Sequence, residues 1–498
     1  MATGDPSPKR RPKPRGGHGR PSFRAPSRTA LVRTAPVRTQ DAARSAAMNA
    51  LARQAAAFPD LDIEGMTLPR LDERDAAFAH AIHDAALRRW ITLGYLVERY
   101  TPRPFRENEP QTQAALLAAA AQMILLDRVP HHAAINASVE WVKHAAKASV
   151  AGFVNAVLRK VGSLVATPSD DPSRLPERTF RPAWANRADE IPLADGRALV
   201  LRAAVLPEDP VLRLAIATSH PSALIRHWTT MLGAETAERL ALHDVAAPPV
   251  TLCTAHAASP LPESCTPHSL PGSSVFSGSR DALASLLRER GDLWVQDAAS
   301  SLAVERLRRL RGGDDWVADG LVVDVCAGQG TKTRQLAASF PRATIIAADP
   351  APDRAKALAE VVRGIGPRAR VLPLPELHRS LRGEAALVLL DVPCTNSGVL
   401  ARRVEARYRF DQSQTDRLAR TQREILGQGA ALLAPGGILC YSTCSIDDAE
   451  NRDQAAWIAH HAGLELLDAE QTLPAGLPGE EASGYHDGSF SAILASRA

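Results

Sequence analysis

Two cysteines stand where a thiol can do chemistry. Cys394 comes just after the apolar run of ALVLLDVPCTNSG, and Cys444 just after that of GILCYSTCSIDDAEN, each among small polar residues rather than inside the run. A thiolate in such a turn is a nucleophile. Added to carbon 6 of a cytosine, it would push electron density onto carbon 5, which can then attack a sulfonium methyl group. Asp391, at the end of the first run, could supply a hydrogen bond or proton at N3 of the ring, and Cys394 could assist breakdown of the covalent adduct. A lone cysteine is more often a small core residue, and that reading fits Cys253, Cys326 and Cys440. The 6 cysteines include no CxxC pair, so reduced thiols are expected. Cys440 and Cys444 have no His pair nearby, and no metal site is expected.

A second constellation lies upstream. In LVVDVCAGQGTKT a strand-like run leads into a turn with Gly328 and Gly330 and then directly into a helix. Glycine lets the backbone approach a ligand closely, and the helix N-terminus offers free amides. A phosphate-binding P-loop needs a second Gly in a frame that this segment lacks. The next run, ATIIAADP, ends at Asp349, where a carboxylate can accept both hydroxyls of a ribose. The alternative for Asp349 is a helix cap ahead of Ala351–Ala359.

These residues need elements to position them. From Leu321 the runs LVVDV, ATIIAAD, ALVLLD and GILCYST alternate with helical segments at 331–339, 352–364 and 411–434, which predicts a doubly wound α/β sheet. In such a sheet the carboxyl ends of the strands share one ligand crevice. GSFSAILAS adds a last strand, expected antiparallel to its neighbours. Residues 42–58 and the stretch from Leu71 to Val161 read as amphipathic helices, in AAFAHAIHDAALRRWITLGYLVERY and TQAALLAAAAQMILL above all. A Pro-, Asp- and Arg-rich segment marks a linker. The region after it is mixed, with helices at Ser222–Leu232 and Glu235–Asp244 and strand pieces at Val250–Thr254 and Leu293–Gln296. The expected division is 1–41 tail, 42–165 helical bundle, 166–199 linker, 200–315 connecting region and 316–498 α/β domain. Arg402, Arg403, Arg407 and Arg409 follow the Cys394 motif and read equally as phosphate contacts or as a solvated helix face.

Composition narrows the class. Hydrophobic residues make up 45% and charged ones 23%, as in soluble globular proteins. No apolar run approaches the roughly 20 residues of a membrane span, and the first 40 residues lack the apolar core of a secretion signal. A cytoplasmic protein is expected. The formal charge of +4 divides into +9 on the first 40 residues and −5 on the rest. Such a tail cannot fold alone, and it reads equally as a solubilising extension or an RNA tether.

On these motifs the sequence resembles the RsmB-type rRNA (cytosine-5)-methyltransferases of the NOL1/NOP2/Sun family. DVCAGQGTKT resembles the family's cofactor loop, DVPCTNSGVLARR its Pro-Cys motif, YSTCSIDDAEN its Thr-Cys motif with the following Glu-Asn, and VQDAAS the entry to its catalytic domain. RVPHHAAINASVEWVK and GFVNAVLRKV resemble the NusB-type RNA-binding module that precedes that domain, and SHPSALIRHW the connecting substrate-side region. The resemblance spans roughly residues 45–498. It implies a class I Rossmann-like methyltransferase domain behind an all-α NusB-like bundle and a small α+β region. It also implies S-adenosylmethionine as cofactor, held by Cys326, Ala327, Gly328, Gln329, Gly330, Thr331, Lys332, Asp349 and Asp391. Cys444 would be the nucleophile and Cys394 the release residue. The expected partner is small-subunit rRNA, met by a monomer. A tRNA or another rRNA cytosine is the alternative substrate, and a non-catalytic RNA-binding assembly factor the alternative function. Two departures stand out: CAGQG replaces the family's Pro-Gly-Gly core, and VLPLPELHRS offers only Glu376 where an acidic contact to adenine is usual.

Overall fold

Alanine sets how the first helices pack. In the computed structural model, which describes residues 41–497 apart from 62–65, 67, 69–70, 168–174, 176, 311–316 and 318, α1 (Ala42–Ala57), α2 (Glu73–Arg88), α3 (Trp90–Glu98), α4 (Pro110–Ile124), α5 (His131–Ala145) and α6 (Val150–Val165) form a bundle. The basic tail lies outside the described residues except for Asp41, which caps α1 by accepting the Arg44 amide at 3.0 Å. The segment TQAALLAAAAQMILL is not amphipathic in place. Every residue of α4 from Thr112 to Ile124 is buried, because Ala side chains let neighbours approach on all sides and a helix apolar all round belongs in a core. The long helical run upstream breaks at Arg89, whose guanidinium is drawn inward to the carbonyls of Pro192 and Ala217 at 2.7 and 2.6 Å.

The expected linker is partly a sheet. β1 (Thr179–Arg181), β2 (Glu190–Pro192) and β3 (Ala198–Val200) pair antiparallel in the order β1-β3-β2. Its Pro and charged residues suggested a solvated connection, yet Ile191 and Leu199 are fully buried in the core of the bundle. Then come α7 (Pro210–Thr218), α8 (Ser222–Leu232) and α9 (Ala234–His243). A four-stranded sheet follows, ordered β5-β6-β4-β7, with β4 at Val250–Cys253, β5 at Cys265–Pro267, β6 at Ser273–Phe276 and β7 at Trp294–Val295. The two expected strand pieces are β4 and β7, hydrogen-bonded to each other. α10 (Arg280–Glu289) lies between β6 and β7, and α11 (Ala298–Arg309) leads out of the sheet.

The last module is the doubly wound one. Its elements are β8 (Leu321–Asp324), α12 (Thr331–Ser339), β9 (Thr344–Ala347), α13 (Pro352–Ile365), β10 (Ala369–Val371), α14 (Leu374–Ser380), β11 (Ala385–Asp391), α15 (Val404–Tyr408), α16 (Gln412–Ala430), β12 (Leu433–Thr443), α17 (Arg452–Ala462), β13 (Glu465–Thr472) and β14 (Ser489–Ala495). They build one seven-stranded sheet, ordered β10-β9-β8-β11-β12-β14-β13. β8 to β12 run parallel, and β14 lies antiparallel between β12 and β13. The chain winds outward from β8 in one direction and from β11 in the other, so the ligand crevice opens at the carboxyl ends of those two strands. β13 escaped the sequence reading because ELLDAEQT is an exposed edge strand with no apolar alternation. Among the described residues no helix is long and apolar enough to cross a membrane. The described modules downstream of the tail form one compact unit.

Candidate active site

The cofactor loop begins where β8 ends. Gly330 has φ 91° and is the N-cap of α12, and a Cβ there would meet Leu358 and Val361 at 3.1 Å. Glycine is thus required by both conformation and packing. The α12 N-terminus has no side-chain cap, and a Cβ on Gly328 would meet nothing within 4 Å. Open space above uncapped helix amides fits a carboxylate- or nucleoside-bearing ligand. Asp349 is turned toward the loop, accepting the amides of Gly328 and Ala351, each at 2.8 Å. It therefore braces the loop and the start of α13 together, although the N-cap of α13 is Ala351.

The expected loop residues divide. Gln329 and Thr331 are exposed and Gly328 is half-buried. Ala327 packs against Ala347, Leu358 and Val362, on the core side of the loop. Burial pushes the Cys326 thiol far up, as suits a packing thiol. Cys253, pushed up to about 11, and Cys440, to about 12, are core thiols in the same way.

Lys332 joins the two halves of the site. Its Nζ donates to Asp391 Oδ2 at 2.9 Å and to Ser300 Oγ at 3.1 Å. Burial alone would push this ammonium down, but Asp391 beside it more than offsets that and holds it above the usual lysine value. Below the loop, Asp324 accepts the Thr333 hydroxyl at 2.7 Å and is pushed up to about 7 by burial. Ser300, Asp324 and Thr333 were not singled out in the sequence. Ser300 lies in VQDAAS, so the motif was visible but its hydroxyl's role was not.

β11 and β12 bring the two cysteines together. Cys394 Sγ and Cys444 Sγ are 3.2 Å apart, and Cys444 Sγ is 3.3 Å from Asn396 Oδ1. Their loops interlock through Gly398, whose amide donates to the Cys444 carbonyl at 2.9 Å. A Cβ on Gly398 would lie 2.7 Å from that same oxygen, so only glycine lets the loops close. The Cys394 thiol is pushed well above its usual range by its hydrogen bond to Cys444 and by burial.

The arginines after the Cys394 motif are mostly committed inside the protein, which corrects both readings of them. Arg402 bonds Asp487 at 2.8 Å and Asp297 at 3.1 Å. Arg407 is completely buried, and Arg409 donates to the Leu61 carbonyl at 2.6 Å. Only Arg403, paired with Glu405 at 3.8 Å, keeps a largely exposed side chain. The segment folds back against the bundle, where Arg407 and Arg409 donate to the backbone carbonyls of Arg88 and Leu61.

Fold and crevice together define an S-adenosylmethionine-dependent methyltransferase. Within that class, residues 315–483 match the family model for the 16S rRNA methyltransferases RsmB/F, and residues 41–163 match the NusB family. The chain thus carries an RsmB/F-type methyltransferase match behind a NusB-type match, in that order. It is 27% identical over 405 residues to a probable ribosomal RNA small subunit methyltransferase B of Bacillus subtilis, covering 78% of this chain and 81% of that one. It is 29% identical over 420 residues to a putative methyltransferase of Mycobacterium tuberculosis (strain ATCC 25618 / H37Rv), covering 81% and 84%. The solved structure of PH0851 superposes with a TM-score of 0.63 at 19% identity, over 92% of this chain and 99% of that one, and shares the fold.

Proposed function

We propose that the protein methylates carbon 5 of a cytosine in 16S rRNA, with Cys444 as covalent nucleophile. The observation that carries this reading is the thiol pair at 3.2 Å on the ends of two neighbouring strands, beside the cofactor crevice. The names of the relatives, ribosomal RNA small subunit methyltransferase B among them, support the substrate. Bound S-adenosylmethionine supplies an electrophilic methyl group. Gly328 to Lys332 and Asp349 would line its place, with Gly328 leaving room and Asp349 at the ribose end.

The protein's own groups do the rest. The Cys444 thiolate forms a bond to carbon 6, and the ring's π electrons move toward carbon 5. Asp391, about one third exposed beside Lys332, faces the N3 edge, and the shared proton of that ion pair offsets charge developing on the ring. After methyl transfer the carbon 5 proton passes to a water molecule, its C–H electron pair re-forms the C5–C6 double bond, and the Cys444–C6 bond breaks to return the thiolate. Cys394 assists that last step. The NusB domain grips the RNA, and the chain acts as a monomer.

The test is tritium transfer from labelled S-adenosylmethionine to small-subunit rRNA, followed by bisulfite sequencing. Wild type labels one cytosine and Cys444→Ala labels none, while Cys394→Ala accumulates a covalent protein–RNA adduct. Normal turnover by Cys394→Ala without adduct would sink the two-cysteine assignment. Transfer to tRNA in place of rRNA would keep the chemistry and change the substrate.

A further inference from the structure

The contact between the two thiols is a feature that methyl transfer does not use. Cys394 Sγ lies 3.2 Å from Cys444 Sγ, and among the described residues this is the one place where two of the six free cysteines meet. A disulfide bond is about 2.05 Å long, so the sulfurs stand roughly 1 Å outside bonding distance, a gap that small side-chain rotations span. The backbone around them is held from several sides. Glu450 accepts the Thr395 amide at 3.0 Å, Asn451 Oδ1 accepts the Thr443 hydroxyl at 2.6 Å, and the Ser397 and Ser445 hydroxyls meet at 3.0 Å. The Gly398 amide on the Cys444 carbonyl and the Ile446 amide on Ser397 Oγ, at 2.9 and 3.0 Å, tie one loop directly to the other. Groups fixed in contact in this way react as if at very high concentration.

The two sulfurs differ in reach. Cys444 is half-buried and Cys394 is only 8% exposed, so a small oxidant from solvent meets Cys444 first, with Cys394 already in contact with it. An accessible thiol beside a second one is the arrangement of an attacking and a resolving cysteine. Cys253 and Cys440 are buried and lack the access. Cys265 and Cys326 are half-buried and, among the described residues, lack the second thiol.

We propose that Cys394 and Cys444 form an oxidation site, at which a peroxide converts the pair to a disulfide that external thiols reduce again. The Cys444 thiolate attacks one oxygen of hydrogen peroxide, the O–O bond breaks, and hydroxide leaves while the sulfur becomes a sulfenic acid. Cys394 then gives up its proton and attacks that sulfur. The S–S bond forms as the sulfenic S–O bond breaks, and the departing hydroxide is protonated to water. In sum, two thiols lose two electrons and the peroxide becomes two waters. An external thiolate reverses the change by attacking the disulfide through a mixed intermediate. Both sulfurs that methyl transfer calls on are then tied to each other, which switches the site off. That consequence rests on the covalent reading above; the oxidation site does not.

In the experiment the full chain is treated with a small excess of hydrogen peroxide, alkylated with N-ethylmaleimide in denaturant and mapped by mass spectrometry without reduction. Methyl transfer and S-adenosylmethionine binding are read on the same oxidised sample before it is denatured. The expected product joins the Cys394 and Cys444 peptides with the loss of two hydrogens, and the other four cysteines are alkylated. Methyl transfer falls in step with the cross-linked fraction and returns with dithiothreitol, while cofactor affinity holds. Dimedone, which traps sulfenic acids, labels Cys444 in Cys394→Ser and leaves it unlabelled in wild type. A Cys444 sulfinic acid beside an alkylated Cys394, or a disulfide through any other cysteine, overturns the proposal. The 394–444 bond without loss of methyl transfer keeps the oxidation site and defeats the covalent reading; a covalent RNA adduct on Cys444 in a protein that never forms the bond does the reverse.

Discussion

Lys332 and Arg407 are both cations shut away from water, and they are held by different kinds of partner. Lys332 meets a carboxylate and a hydroxyl, Asp391 and Ser300, in a crevice where Asp391 still reaches solvent. Arg407 meets only backbone among its hydrogen-bond partners in the described residues: the carbonyls of Arg88, Thr218, Asp244 and Leu400, between 3.0 and 3.5 Å. Three of those carbonyls sit at the C-terminal ends of α2, α7 and α9. Helix ends leave carbonyls without intrahelical donors and carry the negative end of the dipole, so one guanidinium answers three helices at once. Next to it the Tyr408 hydroxyl donates to the Leu87 carbonyl at 2.7 Å and contacts Ser219 at 3.0 Å. The segment after Cys394 is thereby joined to the bundle and to the connecting region. The lesson is that a cation serving chemistry keeps a partner whose charge can be shared with a substrate. A cation serving architecture is met by groups that never titrate.

The sharpest way to break this comparison is to remove each cation in turn. Lys332→Met should cost about a thousandfold in kcat, or ~4 kcal/mol, with little change in urea stability because Asp391 can hydrate. A large loss of stability instead would make Lys332 architectural. Arg407→Met should do the reverse, leaving four carbonyls unanswered and costing about 4 kcal/mol in urea unfolding, with cofactor affinity nearly intact. A cost under about 1 kcal/mol would mean that the junction is held by something else.

Titration extends the contrast. His220, fully buried against Asp244 Oδ2 at 2.9 Å, is pushed down to about 4, first by burial and then by Arg407. A base depressed in the folded state stabilises above its unfolded value of about 6.5 and loses that contribution as pH falls toward 4. The junction should therefore weaken by about 3 kcal/mol across that window. His220→Gln should flatten the acid limb of a melting-temperature profile. An unchanged limb would place the acid sensitivity elsewhere.

The two cations also mark what the sequence could disclose. The sheet, its helices 331–339 and 352–364, and the thiol turns were legible because strand, turn and helix signals there are local and periodic. Lys332 was legible as part of a motif. Arg407 was not, since nothing in RRVEARYRF says that its neighbours will be helix ends from residues 88, 218 and 244. The sheet of β1 to β3 failed for a related reason. Its composition is that of a solvated linker, and only the distant bundle surface makes Ile191 and Leu199 core residues. Glu450 and Asn451 were visible as a motif, but the bonds they make to the segments around the two thiols depended on the register of β11 against β12.

The smallest effect is the most discriminating for the thiols. Cys440 lies within β12, which ends one residue before Cys444, and has no exposure, packed among Leu389, Ile438 and Ile493. Its side chain is enclosed by those apolar neighbours, and burial pushes its pKa up to about 12. Cys440→Ala removes one sulfur from a tight core and should cost about 1–2 kcal/mol, with kcat and the adduct yield of the Cys394→Ala background unchanged. Cys394→Ala should show the opposite pattern, a small change in melting temperature and a large one in turnover. A drop in turnover with Cys440→Ala at unchanged stability would mean that burial in β12 does not separate packing thiols from reacting ones, and the division between architecture and chemistry drawn from Arg407 and Lys332 would not extend to the cysteines.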